Sequence, residues 1–344
     1  MGKRKITVVL ALLLLVSLAA CRKEILKEIE IAFPGFATPA NFPQPVYHFG
    51  TNAVTKEGFE LGRKLFYEPR LSRNNTISCG TCHIQSAGFT HHGHDVSHGI
   101  DDRLGKRNSP PIMNLAWNPS FMWDGGIFDL DLQPIAPITA HEEMDESVEN
   151  ILAKLQARPD YPDLFQKAFG NSAITSVNFL KALSQFMVMC VSSNAKYDSV
   201  QRQEGPVFTT AEQEGYALFK QKCAACHAEP LFTDHSFRDN GIGIGFNGDK
   251  GRYEITLNEA DKYKFKVPSL RNLQYTAPYM HDGRFYTLDA VLDQYSGHVQ
   301  HTPNLDPLLQ QGIPLTQEEK TVLTAFLNTL NDKKFITDKM LAEQ

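Results

Sequence analysis

The 344-residue sequence lacks the repeated long apolar runs of a multi-span membrane protein, and it lacks runs of Lys or Arg. Its formal net charge of −5 argues against the basic surface that nucleic-acid binding needs. Six cysteines are too few for a disulfide-dense scaffold of this length. A convincing series of alternating strands is also missing. These absences leave a folded, mostly α-helical protein, long enough for about two domains.

One marked apolar run stands at the N-terminus, from Ile6 to Ala20. It is too short to span a bilayer comfortably, and the basic residues before it are typical of a signal peptide. The run ends in Leu18-Ala-Ala-Cys21, which resembles a bacterial lipobox. The alternative is an ordinary signal peptide followed by an incidental cysteine. We predict a signal peptide over 1–20, export to the periplasm or cell envelope, and membrane anchorage through a lipid on Cys21.

The rest of the chain divides into a tether and two related halves. Residues 21–45 are charged and then rich in proline, which predicts a lipidated tether. Beyond it, a segment with Gly, Leu and Phe precedes a CxxCH motif twice, at a separation of 144 residues. This internal repeat predicts two domains, 46–205 and 206–344, joined by a polar linker within 192–206.

Three helices can be placed from the sequence with their ends. Residues 179–190 are rich in apolar side chains, which predicts a buried helix. Thr209 with Glu212, and Thr316 with Glu319, have the spacing of capping boxes, so a helix should begin at each. Long loops at 84–126 and 235–252 separate such helices, as expected where a large cofactor fills part of the core.

The two CxxCH motifs are Cys79-Gly-Thr-Cys82-His83 and Cys223-Ala-Ala-Cys226-His227. In such a motif both thiols reach the vinyl groups of one porphyrin, and the histidine ligates the iron from the same turn. A zinc site or a disulfide is the alternative, but the adjoining histidine and the exported context favour haem. We predict two covalent c-type haems, one in each domain, with Cys190 left as a buried thiol.

Six further motifs give a family resemblance: Arg107-Asn-Ser-Pro110, Trp123-Asp-Gly125, Glu143-Met144, Val191-Ser-Ser-Asn194, Pro268-Ser-Leu-Arg271-Asn272 and Thr276-Ala-Pro-Tyr-Met-His281-Asp-Gly283. In this order they resemble the bacterial di-haem cytochrome c peroxidases and the related MauG-type enzymes, over about residues 48–335. The resemblance implies two mostly α-helical cytochrome c-like domains, the first peroxidatic and the second transferring electrons. It also implies hydrogen peroxide as substrate and a small c-type cytochrome or cupredoxin as electron donor. Homodimers are common in the family.

The resemblance assigns roles to single residues around the first haem. Glu143 matches the family's catalytic glutamate, and Trp123 matches the tryptophan between the haems. His98 is the best positional match to a distal histidine that leaves before peroxide binds. The alternative for His98 is an exposed loop histidine or part of a weak surface zinc site.

Two further sets of residues match binding positions of the family. Asn108, with the backbone carbonyls of Thr276 and Pro278, matches an interdomain calcium site. Three arginines are expected to contact haem propionates because of their charge: Arg107, Arg252 and Arg271.

The second haem departs from the peroxidase branch of the family. Peroxidases have a methionine fourteen residues after the position of His281, where this chain has Tyr295, as MauG-type enzymes do. A phenolate oxygen is a hard anionic ligand that favours oxidised iron, whereas a thioether favours the reduced state. We therefore predict Tyr295 as the sixth ligand of a low-potential haem. The alternative is Met280 as the ligand, with Tyr295 in the core.

Three functions follow from these features. The leading prediction is a cytochrome c peroxidase that reduces hydrogen peroxide to water. A MauG-type oxidase that modifies a partner protein is the first alternative, and Tyr295 favours it. The second alternative is an electron carrier without enzymatic activity, which requires six tight ligands at both irons.

Overall fold

The computed structural model describes residues 33–245 and 248–344. Its helices are α1 Lys56–Phe66, α2 Cys79–Cys82, α3 Ile135–Thr139, α4 Val148–Gln156, α5 Tyr161–Phe169, α6 Ser176–Met189, α7 Lys196–Gln201, α8 Thr210–Lys222, α9 Tyr253–Thr256, α10 Leu288–Gly297, α11 Gln317–Asn328 and α12 Lys333–Thr337. Short 3-10 turns lie between them at Pro69–Leu71, Gln85–Ala87, Ile100–Asp102, Leu115–Trp117, Glu259–Asp261 and Pro307–Leu309. The mostly α-helical class is confirmed.

Regular strand pairing is minimal in the described part of the chain. Strands β1 (Phe237–Arg238) and β2 (Phe265–Lys266) form one antiparallel pair, with Phe237 opposite Lys266. The predicted loop 84–126 contains three short 3-10 turns and antiparallel bridges at Ile84–Thr90 and His98–Leu104. The predicted loop 235–252 contains β1, and its isolated bridges are parallel pairings of Asp239 with Leu305 and of Gly251 with Lys264.

Two helix pairs form the packing centres of the two halves. Helix α1 packs on α6, and α8 packs on α11. A Cβ atom at Gly62 of α1 would overlap the carbonyl oxygen of Ala182, and one at Gly215 of α8 would overlap that of Val322. Glycine at each position therefore allows the two backbones to approach closely. The internal sequence repeat therefore corresponds to a repeated packing of two helices in each half.

The helix starts predicted at Thr209 and Thr316 are confirmed, whereas α6 begins at Ser176, three residues before the predicted start at 179. Helix α8 follows the N-cap Thr209, whose hydroxyl accepts the Glu212 N–H while the Glu212 carboxylate accepts the Thr209 N–H. Thr316 and Glu319 form the same reciprocal pair before α11. Helix α6 runs to Met189, one residue short of the predicted end. Each cap satisfies N–H groups that have no partner within the helix.

Residues Gly35–Gln344 group into one compact unit. The region expected to be a linker contains α7, and Asp198 of this helix is completely buried against Arg271. A polar composition therefore does not make this segment exposed, because its carboxylate is satisfied by a buried guanidinium. The division into domains at 205/206 stays a prediction.

The expected tether falls partly inside the described residues. Phe36 and Phe42 pack against Trp117, with ring centroids 5.8 and 5.1 Å away, and the Trp117 Nε1–H donates to the Pro43 carbonyl at 2.8 Å. This stretch lies against the first half of the protein. The predicted signal peptide and Cys21 lie outside the described residues. Among the residues that are described, none of the helices has the length and apolar character to cross a bilayer.

Candidate active site

The first CxxCH motif forms a single helical turn, α2, ending at His83. The His83 N–H donates to the Cys79 carbonyl at 2.9 Å, and its ring Nδ1 lies 2.9 Å from the Phe89 carbonyl oxygen. Phe89 is fully buried in the left-handed region, at φ 61°. This unusual backbone is held by core packing, and it aims a carbonyl at the imidazole. With Nδ1 as the donor, Nε2 keeps the lone pair that a metal requires.

The second motif repeats this arrangement. The His227 N–H donates to the Cys223 carbonyl at 3.0 Å, and Nδ1 lies 3.1 Å from the carbonyl oxygens of both Phe232 and Pro268. Phe232 is also fully buried with a positive φ, at 57°. Burial lowers the pKa of His227, so the neutral, ligating form is favoured. Two histidines with the same second hydrogen bond fit two iron ligands.

The cysteines of both motifs are free thiols in the described chain. Burial raises the pKa of Cys79 and of Cys223 to about 12. Within residues 33–245 and 248–344, no group of three or more His, Cys, Asp or Glu residues is arranged to hold a metal ion. The described residues thus form neither the disulfide nor the zinc site considered from the sequence. Unpaired, half-buried thiols beside an oriented histidine fit covalent haem attachment.

A cavity of about 350 Å³ lies beside the first motif. Its wall includes Cys82 and His83 of the motif. Trp123, Glu143 and, from β2, Lys266 also line it. Much of the remaining wall is apolar or proline: Pro110, Pro111, Ile112, Met113, Leu115, Phe121, Pro137, Leu231 and Val267. The structure therefore joins the first motif, the predicted catalytic glutamate and the predicted electron-path tryptophan around one space.

Glu143 is fixed by the loop that follows the first motif. The Ser97 hydroxyl donates to its Oε1 at 3.3 Å, and the Ile100 N–H donates to its carbonyl at 2.8 Å. A side chain on Gly99 would collide with the Glu143 backbone, so only glycine allows this close approach. Burial raises the pKa of the Glu143 carboxyl, and the Ser97 hydrogen bond partly opposes that shift. Such a carboxyl can hold and release a proton nearer neutral pH than an exposed one.

Trp123 lies in a hairpin that recurs in the second half. Asn114-Leu-Ala-Trp-Asn-Pro-Ser-Phe-Met-Trp-Asp-Gly125 aligns without gaps to Asn272-Leu-Gln-Tyr-Thr-Ala-Pro-Tyr-Met-His-Asp-Gly283. In both copies the Asn, the Met and the Gly have positive φ, and a short antiparallel bridge closes the turn. Repeated asparagine and glycine at matching positions are the signal that reveals it.

This second repeat links Tyr295 to a residue of the first half. Tyr295 follows Asp282 by thirteen positions, and Pro137 follows Asp124 by the same thirteen. Pro137 lines the cavity beside His83, and its side chain has no atom that can ligate iron. The two halves therefore present different groups at equivalent positions.

Tyr295 lies on α10 and points towards Asn240. Nδ2 of Asn240 is 3.3 Å from the Tyr295 hydroxyl oxygen and 3.5 Å from Sδ of Met280. Burial is the main cause that raises the pKa of Tyr295 to about 12. Both candidate sixth ligands of the second haem thus lie beside one amide, and Asn240 carried no signal in the sequence.

His98 lies in a cluster of three imidazoles. Its ring centroid is 4.3 Å from that of His94, which stacks on His91 at 4.2 Å. The His98 carbonyl accepts the Cys82 thiol at 3.3 Å, but His98 is absent from the residues that line the cavity. Its role as a distal ligand stays a prediction.

The residues expected to bind calcium take part in backbone contacts. Nδ2 of Asn108 donates to the carbonyls of His94 and Asp95 at 3.2 and 3.1 Å, and the Asn108 carbonyl accepts the Trp123 indole N–H at 2.8 Å. Thr276 and Pro278 belong to the second repeated hairpin segment, in which the Ala277–Pro278 peptide is cis. The calcium site stays a prediction.

The three arginines expected near haem propionates have protein partners. Arg107 binds Asp249 through Nε and Nη2 at 2.6 and 2.8 Å, and it also contacts Asp124. Arg252 donates to the Asp124 carbonyl and lies over the Phe237 ring. The third, Arg271, is buried and binds both carboxylate oxygens of Asp198. Only Arg107 lines the cavity.

Comparison with known proteins is consistent with this geometry. A family model described as di-haem cytochrome c peroxidase matches residues 56–205. The chain is 37% identical to the methylamine utilization protein MauG of Methylorubrum extorquens, over 84% of this chain and 82% of that protein. The chain belongs to the di-haem cytochrome c peroxidase and MauG family. Membership makes it a di-haem oxidoreductase at the level of the family.

Both branches of the family appear among its relatives. The cytochrome c551 peroxidase of Nitrosomonas europaea is 34% identical, over 85% of this chain and 84% of that protein. A MauG-like protein associated with microbial copper homeostasis has a similar crystal structure, with a TM-score of 0.80, 32% identity, and coverage of 89% of this chain and 98% of the other. The diheme peroxidase BthA of Burkholderia thailandensis shares the fold, at a TM-score of 0.70, 20% identity, and coverage of 88% and 95%.

Proposed function

We propose that the protein is a di-haem peroxidase that reduces hydrogen peroxide to water with two electrons and two protons. The observation that carries the proposal is the half-buried Glu143 side chain, which lines the same cavity as His83. Pro137 supports it, because the position equivalent to Tyr295 then offers the first haem no ligand. The electrons would come from a small c-type cytochrome or a cupredoxin.

The residues that would hold the haems are those of the two motifs. Cys79, Cys82 and His83 would bind the first haem covalently, and Cys223, Cys226 and His227 the second, with Tyr295 as its sixth ligand. When bound, the haems supply one-electron redox chemistry and, at the first site, a coordination position for peroxide.

The chain itself supplies proton transfer, orientation and exclusion of water. The Glu143 carboxylate takes the proton from one peroxide oxygen and delivers it to the other oxygen, which departs as water. Ser97 donates to Oε1 and so fixes which carboxylate oxygen faces the cavity. The proline-rich wall keeps bulk water from competing for that proton.

Trp123 would lie on the electron path between the halves. Its carbonyl accepts the Lys266 N–H at 2.7 Å, and its indole N–H is held by the Asn108 carbonyl. The residue is therefore held through its main chain by the second half and through its indole by the first. The lipid anchor at Cys21, the periplasmic location and the calcium site belong to the same proposal and rest on the sequence.

A MauG-type oxidase is the second candidate function. Tyr295 favours it, as does the identity to MauG. Such an enzyme would use peroxide to remove electrons from side chains of a partner protein.

Steady-state turnover of peroxide with a reduced c-type cytochrome tests the leading proposal. We expect brisk turnover in the holoenzyme, and a loss of about 10²–10⁴-fold in Glu143→Gln with both haems retained. The exposed neighbour Glu142 gives the control, Glu142→Gln. Unchanged turnover in Glu143→Gln would refute the role of this carboxylate. Negligible wild-type turnover together with a long-lived oxidised species would favour the oxidase, whereas failure of peroxide and cyanide to bind either haem would favour an electron carrier.

A further inference from the structure

Asn240 lies where the two candidate ligands of the second haem meet. Its Nδ2 contacts the Tyr295 hydroxyl oxygen at 3.3 Å and Met280 Sδ at 3.5 Å. The same amide group therefore touches a hard oxygen and a soft sulfur, which would give the iron opposite redox properties.

The backbone before Asn240 is held by a buried carboxylate. Asp239 is 1% exposed and accepts the Gly241 N–H at 2.9 Å and the Thr302 hydroxyl. Its own carbonyl accepts the Asp306 N–H at 3.0 Å. These contacts hold the two residues on either side of Asn240, so its main chain has little freedom.

The backbone after Asn240 is tied directly to the helix that carries Tyr295. The Gly241 carbonyl accepts the Gln294 side-chain amide at 2.9 Å and the Gln300 N–H at 2.7 Å. Gln294 adjoins Tyr295 on α10. Gly241 has a φ of 71° and no room for a Cβ beside Val299, so glycine is required there. The separation of Asn240 from Tyr295 is thus set by main-chain contacts on both sides.

A fixed N–H donor at this place has two chemical effects. Donation to an anionic oxygen ligand withdraws charge from it, which weakens its preference for oxidised iron. Donation to the thioether occupies one of the two sulfur lone pairs and so makes this sulfur a weaker ligand for iron. The first effect raises the reduction potential of a haem ligated by the Tyr295 oxygen, and the second disfavours ligation by the Met280 sulfur.

We propose that Asn240 is a positioning residue that selects Tyr295 over Met280 as sixth ligand of the second haem and raises the reduction potential of that haem. The inference deepens the proposed function and rests on ligation by Tyr295. It concerns the hydrogen bond alone, since Asn240 does not line the cavity beside His83.

The test is spectroelectrochemistry and electron paramagnetic resonance of the holoenzyme. Asn240→Leu removes the donor with little change in size, and we expect a lower potential for the second haem or a thioether-to-iron charge-transfer band. Asn240→Gln keeps an amide donor and should recover most of the wild-type potential. Asn304→Leu is the matched control, because Asn304 donates to the carbonyls of Glu259 and Lys262 and should leave the potential unchanged.

The same Asn240 substitution made in Tyr295→Phe distinguishes the role of Asn240 from ligation by Tyr295. In Tyr295→Phe, Asn240→Leu should no longer lower the potential through the phenol oxygen, and any further shift should come with the thioether-to-iron band of Met280, whose contact with Asn240 is then removed. If Asn240→Leu leaves both potential and resonance spectrum unchanged while Tyr295→Phe alters them, the role of Asn240 is overturned and ligation stands. If Tyr295→Phe alters neither, ligation by Tyr295 itself is wrong.

Discussion

The two halves of the molecule have the same scaffold around a CxxCH histidine, but different side chains face that scaffold. In each half a glycine lets two helices touch, and a buried phenylalanine with positive φ aims its carbonyl at the histidine. The first half places Glu143 and Pro137 on the wall of the cavity beside His83, whereas the second half places Tyr295 beside Asn240. A repeated scaffold can thus support two tasks, because the chemistry depends on a few side chains placed on it.

Removing one haem at a time tests the proposed division of labour most severely. Cys79→Ser/Cys82→Ser should lose peroxide binding and all turnover, because the proton-handling cavity loses its haem. Cys223→Ser/Cys226→Ser should also lose turnover with cytochrome, yet still react with peroxide in a single turnover. Stopped-flow absorption, with haem content as the folding control, distinguishes the two. Loss of the peroxide reaction in Cys223→Ser/Cys226→Ser would contradict the proposed division of labour.

A buried ion pair between Arg271 of the second half and Asp198, before the predicted boundary, should have a large effect on stability. Arg271 and Asp198 are both completely buried as side chains, and Met113 stands where Arg271 stands in the first-half repeat. Arg271→Met would leave a buried carboxylate unpaired, which should cost about 3–5 kcal/mol of unfolding free energy. Denaturant unfolding measures it.

Adding Asp198→Asn to Arg271→Met removes the unpaired charge and should restore part of the loss. Met113→Leu, a substitution of similar volume, should cost less than about 1.5 kcal/mol. Equal losses of unfolding free energy in Arg271→Met and Met113→Leu would show that packing, not charge, stabilises this part of the chain.

The helix contacts should make the two halves respond alike. Gly62→Ala and Gly215→Ala each force a Cβ into a backbone carbonyl, so each should cost about 1–3 kcal/mol. Gly297 of α10 has open space beside it, so Gly297→Ala should not destabilise the protein and serves as the control. Thermal unfolding compares the three. A loss at only one of Gly62 and Gly215 would break the equivalence of the halves.

The smallest expected effect is on the pH profile, and it should arise in the first half alone. Burial raises the pKa of Glu143. Because the carboxylate form must accept the peroxide proton, turnover should fall as pH decreases through a value above the usual glutamate pKa of about 4.3. Glu143→Gln should lose this acidic limb in its residual activity. An unchanged limb would assign it to another group.

Short-range signals predicted much of the fold, and long-range contacts explain what they missed. Thr209 and Thr316 were predictable as caps because each contacts a glutamate three residues away. The burial of Asp198 was not, since it depends on Arg271, far away in the chain.

The site shows the same division between local and tertiary information. Each CxxCH motif is contiguous, so the sequence predicts it with its histidine. Asn240 was missed because its importance arises only where a loop meets α10, and the edge-to-face contact of His98 with His94 depends on loop packing.

The central claim, that the first haem is the reactive one and Tyr295 closes the second, is tested by adding cyanide to the ferric and the half-reduced holoenzyme. Electron paramagnetic resonance follows both irons, and it also reveals whether His98 ligates the first iron at rest. We predict that cyanide changes only the signal that is lost in Cys79→Ser/Cys82→Ser, while the signal that depends on Tyr295 is unchanged. A cyanide-induced change in the Tyr295-dependent signal would contradict the account.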